Sequence, residues 1–387
     1  MDNDQKQYEV AVIGLGAMGA AATYQLANKG IRVLGIDQHD PPHSHGSSHG
    51  ETRITREAIG EGPQFVPLAR RSHLLWRKIE AASGKRLFTQ CGGLIIAGSG
   101  LDSPLHGQRN FLRSTVDQAI QHNILHRQLA AQTIAEQHPQ FAVDDYQCGY
   151  YEPGAGFLNP EAAISAQLSL AESVGATVIT GSKATWSKVG AGFAISVNGN
   201  IFYVDKVVLA LGPWLPQAVP YISPRLTVRR QSLFWFALDG TVDYRTNTPI
   251  FIWHWGPGEN EVFYGFPQIG PKPEIKVASE QTCKSTAPDN VERHIDKDEC
   301  VHFYARHLAS RLRGVSNRCT RATSCLYTCT EDSDFIIDWS PEQADMLIVS
   351  ACSGHGFKHS AAIGEAVAEM ITTGTTPAVL LPFALKT

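Results

Sequence analysis

The apolar positions of the first forty residues fall into two solid blocks separated by one periodic stretch. Tyr8-Glu-Val-Ala-Val-Ile13 and Ile31-Arg-Val-Leu-Gly-Ile36 are short and almost wholly apolar, the pattern of strands buried on both faces. Between them Ala20 to Lys29 has helical spacing and stops at Gly30, so a strand, a helix and a second strand are predicted in succession. From Gln38 to Glu57 the chain turns to His, Ser, Gly and Pro. It is too polar to pack by itself and is predicted to be a loop ordered by what it binds.

Further on, helical spacing returns over Phe65 to Ala82 and, irregularly, over 108–138, with Cys91 to Gly98 opening a strand of a different unit. Glu161 to Val174 reads as a helix closed by Gly175, followed by short strands at 177–180, 193–197 and 201–204. Val207 to Leu211 is an apolar strand ending in a glycine turn. Ser232 to Ala237, Ile250 to Trp255 and Val262 to Phe266 read as strands of a separate antiparallel sheet, and Met346 to Cys352 as a last buried strand before a helix at about 360–372. No repeat or low-complexity tract interrupts this order.

Composition narrows the class. The chain has 387 residues, 43% of them hydrophobic and 18% charged, enough for a large core and a second smaller one. Thirty-three basic residues against 37 acidic ones, without a basic run, argue against nucleic-acid binding. The eight cysteines (Cys91, Cys148, Cys283, Cys300, Cys319, Cys325, Cys329, Cys352) lack the dense spacing of a secreted disulfide scaffold, which points to a reducing compartment. Asp2, Asp4 and Glu9 stand where a signal peptide carries positive charge, and glycines interrupt the apolar stretch behind them. No run approaches the length of a membrane span. The expectation is a soluble, cytoplasmic, monomeric enzyme that binds neither membrane nor nucleic acid and holds no metal.

The first chemical signal is Gly14, Gly16 and Gly19 between strand and helix, with Asp37 lying 18 residues beyond Gly19 at the end of the next strand. The first glycine permits the tight turn, the second lets backbone approach a pyrophosphate, and the third lets helix pack on strand, while Asp37 can accept from ribose hydroxyls. This pattern fits NAD and FAD equally. Arg53 and Arg56, with His49 and Thr52 nearby, form a cationic cluster that reads either as a solvated face or as an anion site.

The stretch His43-Ser-His-Gly-Ser-Ser-His-Gly-Glu-Thr-Arg-Ile-Thr-Arg56, with Gly60-Glu-Gly and Val66-Pro-Leu behind it, resembles the monomeric sarcosine oxidase and N-methyltryptophan oxidase family. So do Tyr264-Gly-Phe-Pro267, Ser324-Cys-Leu-Tyr-Thr328, Asp334-Phe-Ile-Ile-Asp338 and Ser353-Gly-His-Gly-Phe-Lys358, in order from about residue 8 to 375. The resemblance implies an α/β fold in which a Rossmann-like FAD-binding domain (1–85, 145–225 and 320–387) is interleaved with a substrate domain (86–144 and 226–319) built on an antiparallel sheet covered by helices. It implies an FAD-dependent oxidase of a secondary amine, an N-methyl amino acid or a cyclic imino acid, using O2 and releasing hydrogen peroxide. A nicotinamide-dependent dehydrogenase and a flavin-bound sensor without turnover are the alternatives.

The same resemblance assigns roles. Cys325 would carry the flavin as a thioether, which requires an accessible thiol in an electropositive setting; Cys329, four residues on in a strand, would share its face. His49 and Arg53 would lie beside the flavin with Tyr264, and Thr52, Gly354, Gly356 and Phe357 would contact it. Arg56 and Lys358 would hold a substrate carboxylate, a task for which a guanidinium is suited by its two parallel donors. Lys276 would promote reduction of O2 by stabilising the developing superoxide. Two departures stand out. Glu280 occupies the position of a family histidine, four residues after the lysine, and would favour a substrate with an extra positive charge. Ile252-Trp-His-Trp255 replaces smaller residues, so that Trp253 is expected either in the substrate pocket or in the core.

Overall fold

The two apolar runs at the start of the chain lie side by side as the parallel strands Val10–Ile13 and Val33–Ile36 of a six-stranded sheet. Lys206–Leu209 pairs with the other edge of Val10–Ile13, Met346–Ser350 with Lys206–Leu209, and Thr177–Ile179 with Val33–Ile36, all parallel; antiparallel Ile336–Trp339 closes the sheet. Because side chains alternate across a strand, Val10 and Val12 face one side, while Ala11 and Ile13 face the other. The first side is covered by the helices Ala17–Asn28, Pro160–Ser173 and Ser360–Thr373, and the second by an antiparallel meander of Thr185–Val189, Gly192–Val197 and Asn200–Val204. This computed structural model describes residues 8–98, 100, 103–282 and 285–386; Asp2, Asp4 and Cys283 lie outside them.

The second sheet has eight strands, in the order Val315–Cys329, Thr227–Leu238, Glu274–Ala278, Val262–Gly265, Ile250–His254, Gly93–Gly98, Gln147–Glu152 and Arg127–Ala130. It is antiparallel except where Ile250–His254 runs parallel to Gly93–Gly98. It also reaches past the domain limits read from the sequence, taking in Gln147–Glu152, which pairs with Gly93–Gly98, and running on to Cys329. Period-2 alternation sorts its side chains cleanly. Phe234, Phe236, Phe251, Trp253, Phe263, Ile275 and Val277 form one apolar face, packed with Phe303 and Leu308 of the helical segment 297–308. Leu233, Trp235, Lys276, Ala278 and Cys325 fall on the opposite face, which looks toward the first sheet.

Where the periodicity is irregular, over 108–138, the chain forms two helices, Phe111–Gln121 and Ala131–Gln137, with the strand Arg127–Ala130 between them. No helix among the described residues is long and apolar enough to cross a membrane.

Candidate active site

A cavity of about 610 Å³ runs from the glycine turn of the first sheet to the inner face of the second. That volume lies within the range of enclosed ligand sites. At the first end, Gly14 has φ +89°, and a Cβ there would overlap the Ala210 carbonyl. A Cβ on Gly19 would overlap the Gly14 carbonyl, whereas Gly16 lines the cavity with nothing within 4 Å of its missing Cβ. Two glycines therefore serve close packing and the middle one leaves room for a ligand. Gly16 also caps the helix Ala17–Asn28, whose first turn has no acidic residue, so its N–H groups and positive dipole end are available to an anion. Asp37 lines the cavity and accepts the Leu15 N–H at 2.7 Å and the His39 N–H at 2.8 Å. Burial pushes its carboxyl up, but His43 and these donors outweigh it and hold the pKa below the ordinary value. Glycine cradle, helix end and carboxylate together fit a dinucleotide.

The polar loop after Asp37 is ordered by distant side chains. The Lys276 ammonium donates to Gly50 O at 2.6 Å, Thr52 O at 3.0 Å and Thr52 Oγ1 at 3.1 Å. Glu161 accepts the N–H groups of Gly50 and Glu51, and Arg321 grips the Glu51 carboxylate with two donors, at 2.7 and 2.8 Å. Within the loop Arg53 donates to Ser47 O and Thr52 O. Burial and then Arg53 push the Lys276 pKa well below that of an ordinary lysine. Lys276 stands on an interior strand behind Thr52, and Thr52, not Lys276, meets the cavity. His49 is buried, held down to about 3 by desolvation, Arg53 and Lys276 and therefore neutral; its Nε2 has no hydrogen-bond partner among the described residues.

Cys325 lies 3.6 Å from Arg53 Nη2 and 3.4 Å from Ser47 O. The setting is electropositive, as the sequence predicts, but the thiol is not accessible. It is 1% exposed, and burial pushes its pKa up against the pull of Arg53. Cys329 is buried too, and Cys352 is the cysteine that lines the cavity.

The other end holds the ionic side chains. Arg56, 3% exposed, donates from Nη2 to Glu61 at 2.6 Å and from Nη1 to Ala58 O, and its guanidinium lies over the Phe111 ring. The Lys358 ammonium donates to His355 O at 2.8 Å and to Glu61 at 3.4 Å. The two expected cations thus converge, with a carboxylate between them that has no role in the sequence reading. Burial raises the Glu61 carboxyl, but Arg56, Lys358 and His106 outweigh it and hold the pKa well below the usual range. Burial holds Lys358 down to about 8 in spite of Glu61. Beside them Ile252, Val262, Tyr264 and Phe266 form an apolar wall, and the Tyr264 and Tyr327 hydroxyls meet at 3.3 Å.

Two sequence expectations change here. Trp253 does not reach the cavity: strand parity turns Ile252 inward and Trp253 outward, where its indole stacks against Phe263 and meets Phe141 edge-on. Glu280 does line the cavity, but its carboxylate faces His106, 3.5 Å from Nε2, and not open space alone. Of the two glycines in the C-terminal turn, Gly354 has φ +78° and faces His106 and Tyr327, while Gly356 packs on the Ala351 carbonyl; both line the cavity, as do Phe357 and Lys358. Glu61 could have been flagged as an acid in a glycine turn five residues after Arg56. His106 carries no such signal, since it sits in a stretch with no periodicity.

The chain has counterparts among known proteins. The model of the FAD dependent oxidoreductase family matches residues 9–370. The monomeric sarcosine oxidase of Streptomyces avermitilis is 34% identical over 95% of this chain and 94% of its own length. The N-methyl-L-tryptophan oxidase of Yersinia pestis is 32% identical over 98% of both chains. Among solved structures, NikD, described as an unusual amino acid oxidase, superposes with a TM-score of 0.83 at 20% identity over 98% of this chain and 97% of its own. The L-proline dehydrogenase of P. horikoshii gives 0.77 at 20% identity, covering 97% and 96%. With the family match spanning residues 9–370 and relatives above 30% identity over nearly the whole length, the chain belongs to the FAD-dependent oxidoreductases, in the family of the monomeric sarcosine and N-methyltryptophan oxidases.

Proposed function

We propose that this protein oxidises a secondary amine that carries a carboxylate, an N-methyl amino acid or a cyclic imino acid, with O2 as the final acceptor and FAD held covalently at Cys325, whose thiol Ser47 and Arg53 must uncover for attachment. The products are an imine, which hydrolyses to amino acid and aldehyde when the substrate is N-methylated, and hydrogen peroxide. The observation that carries this reading is the convergence of two buried cations, Arg56 and Lys358, on an apolar wall at the end of the cavity away from the glycine turn. The sarcosine and N-methyltryptophan oxidase relatives support it.

FAD, when bound, supplies the two-electron acceptor for the C–H bond next to nitrogen and passes those electrons to O2. Gly14, Gly16, Gly19 and Asp37 would hold its dinucleotide part, and Thr52, Arg53, Gly354, Gly356 and Phe357 its ring end, with His49 behind Arg53. Arg56 and Lys358 bind the substrate carboxylate and fix the amine's orientation. Tyr264 and the apolar wall exclude water, which favours loss of the ammonium proton so that the nitrogen lone pair is available. Lys276, behind Thr52, offers in its protonated form the positive potential that stabilises reduced oxygen. A cofactor domain built on the six-stranded sheet and a substrate domain built on the eight-stranded one, a monomeric state and a cytoplasmic setting complete the proposal. A coupled peroxide assay over N-methyl amino acids, cyclic imino acids and the matching amines without carboxylate tests it. Turnover confined to carboxylate-bearing secondary amines is expected; turnover of the bare amines alone, or of none, would overturn it.

A further inference from the structure

The wall of the substrate end that faces Arg56 is made by a tight turn. Leu105 and Gln108 exchange both backbone hydrogen bonds, at 2.9 and 3.0 Å, and the two residues between them, His106 and Gly107, both have positive φ, +48° and +77°. A turn with two central residues of positive φ ordinarily takes Asn or Gly, and a histidine held there is strained. Strain of this kind concentrates where a side chain is aimed at a function. Here it delivers the His106 imidazole into the cavity between two carboxylates from distant parts of the chain. Nδ1 lies 3.5 Å from Glu61 and Nε2 3.5 Å from Glu280, so neither nitrogen is engaged in a hydrogen bond of normal length.

The other groups facing His106 are fixed in charge or neutral. His355, whose ring centroid is 4.9 Å away, and His254 on the strand Ile250–His254 are held neutral by burial, the latter down to about 3. The Tyr327 phenol is pushed well above its ordinary value by burial. On the outer side of the turn Gly107 meets the backbone carbonyl of Asp332, whose carboxylate is bound to Lys386. Arg56 and Lys358 are the cations and Glu61 and Glu280 the anions. Leaving His106 aside, two cations stand against two anions before any substrate enters.

A carboxylate bound at Arg56 and Lys358 breaks that balance, adding a third anion to a site from which water is excluded. We propose that this protein binds its carboxylate ligand together with one proton, taken up by His106, whose imidazolium then bridges Glu61 and Glu280. The inference rests on the carboxylate reading of Arg56 and Lys358. It gives Glu280 a purpose other than attracting a cationic substrate: it is the second anchor of a histidine that switches the pocket from neutral to anion-accepting. Substrate affinity is therefore tied to pH through a residue that makes no contact with the carboxylate.

Isothermal titration of the oxidised holoenzyme with pyrrole-2-carboxylate, at pH 7 in buffers of differing ionisation enthalpy, measures the proton directly. Lys358, with its pKa at about 8, is already charged there and can supply only about a tenth of a proton. Wild type is expected to take up several times that, approaching one, and its Kd to rise by up to tenfold per pH unit as the pH is raised. His106→Asn keeps a residue that tolerates positive φ and should bind the ligand with that uptake gone. Glu280→Gln should lose it as well, because the pocket then carries a spare positive charge. Pyrrole-2-carboxamide should bind without uptake in all three proteins. Tight carboxylate binding with no more than a tenth of a proton in wild type, or with undiminished uptake in His106→Asn, overturns the proton linkage and leaves the carboxylate site standing. Failure of wild type to bind the carboxylate while binding the amide overturns both.

Discussion

Glu61→Gln separates the structural task of this site from its binding task. In the native chain a carboxylate 2% exposed lies between two buried cations, 2.6 Å from Arg56 Nη2 and 3.4 Å from Lys358 Nζ. Glutamine keeps the shape and one acceptor oxygen for Arg56 but removes the charge. Deleting one partner of a buried ion pair costs about 3–5 kcal/mol, and the retained acceptor puts this case near the lower figure. Ligand affinity should move the other way, because a substrate carboxylate no longer shares Arg56 and Lys358 with Glu61. A hydrogen bond to a charged donor contributes about 1.5–3 kcal/mol, so the gain is on the order of ten- to a hundredfold. Urea unfolding of the oxidised holoenzyme, with and without pyrrole-2-carboxylate, reads both effects: a lower midpoint alone, and a larger ligand-induced recovery than in wild type. Since the folded pKa of Glu61 lies below the ordinary 4.5, its stabilisation is present above that pH and is lost as the pH falls through the folded value; the two proteins should converge in acid. Unchanged stability together with unchanged or weaker ligand binding would refute the balance of charges described here.

Cys325→Ser should yield protein that releases its flavin on acid precipitation, and a flavin peptide mapped to Cys329 or Cys352 in the native protein would contradict the attachment. Lys276→Met should slow reoxidation by O2 by about 100-fold or more while sparing anaerobic reduction; equal slowing in stopped-flow traces of both half-reactions would mean that the lysine serves only to clamp the loop at Gly50 and Thr52. Gly19→Ala should fold with little or no FAD, because the new methyl group runs into the Gly14 carbonyl, and full flavin content measured from the absorbance ratio would show that the turn can shift. Carboxylate affinity should also fall as pH rises through about 8, where Lys358 loses its proton; a flat spectral titration from pH 7 to 9 would remove Lys358 from the clamp.

How much of this could be read from the chain depended on whether a feature was periodic or relational. The buried strands Val10–Ile13, Val33–Ile36 and Met346–Ser350 and the helix Ser360–Thr373 are visible because burial on known faces leaves a local pattern. The glycine turn is visible because its three constraints sit within six residues. Trp253 could not be placed, since a strand apolar on both sides gives no clue to which parity faces the cavity. Lys276 could be taken for an edge residue because nothing in Glu274–Ala278 reveals that Thr227–Leu238 and Val262–Gly265 flank it. Glu61 and His106 escaped for a related reason: Glu61 lies near Arg56 in the chain but its other partner, Lys358, is 297 residues away, His106 has meaning only through distant partners, and the turn that aims His106 is set by two backbone hydrogen bonds and not by any periodic run.

The strand order of the six-stranded sheet has a consequence for when the protein comes into being. Val10–Ile13 leaves the ribosome long before its neighbour Lys206–Leu209, which follows after nearly two hundred residues, and Met346–Ser350 comes well over a hundred residues later still. The Ala210 carbonyl that packs on Gly14 arrives with the second of these, the arm of Arg321 that holds Glu51 with the last part of the chain. Pairing across such separations makes folding slow and leaves apolar strand edges open while translation proceeds. The cavity that is to receive the cofactor therefore cannot close until residues 349–358 have been made, and until then the early strands have to wait for their neighbours.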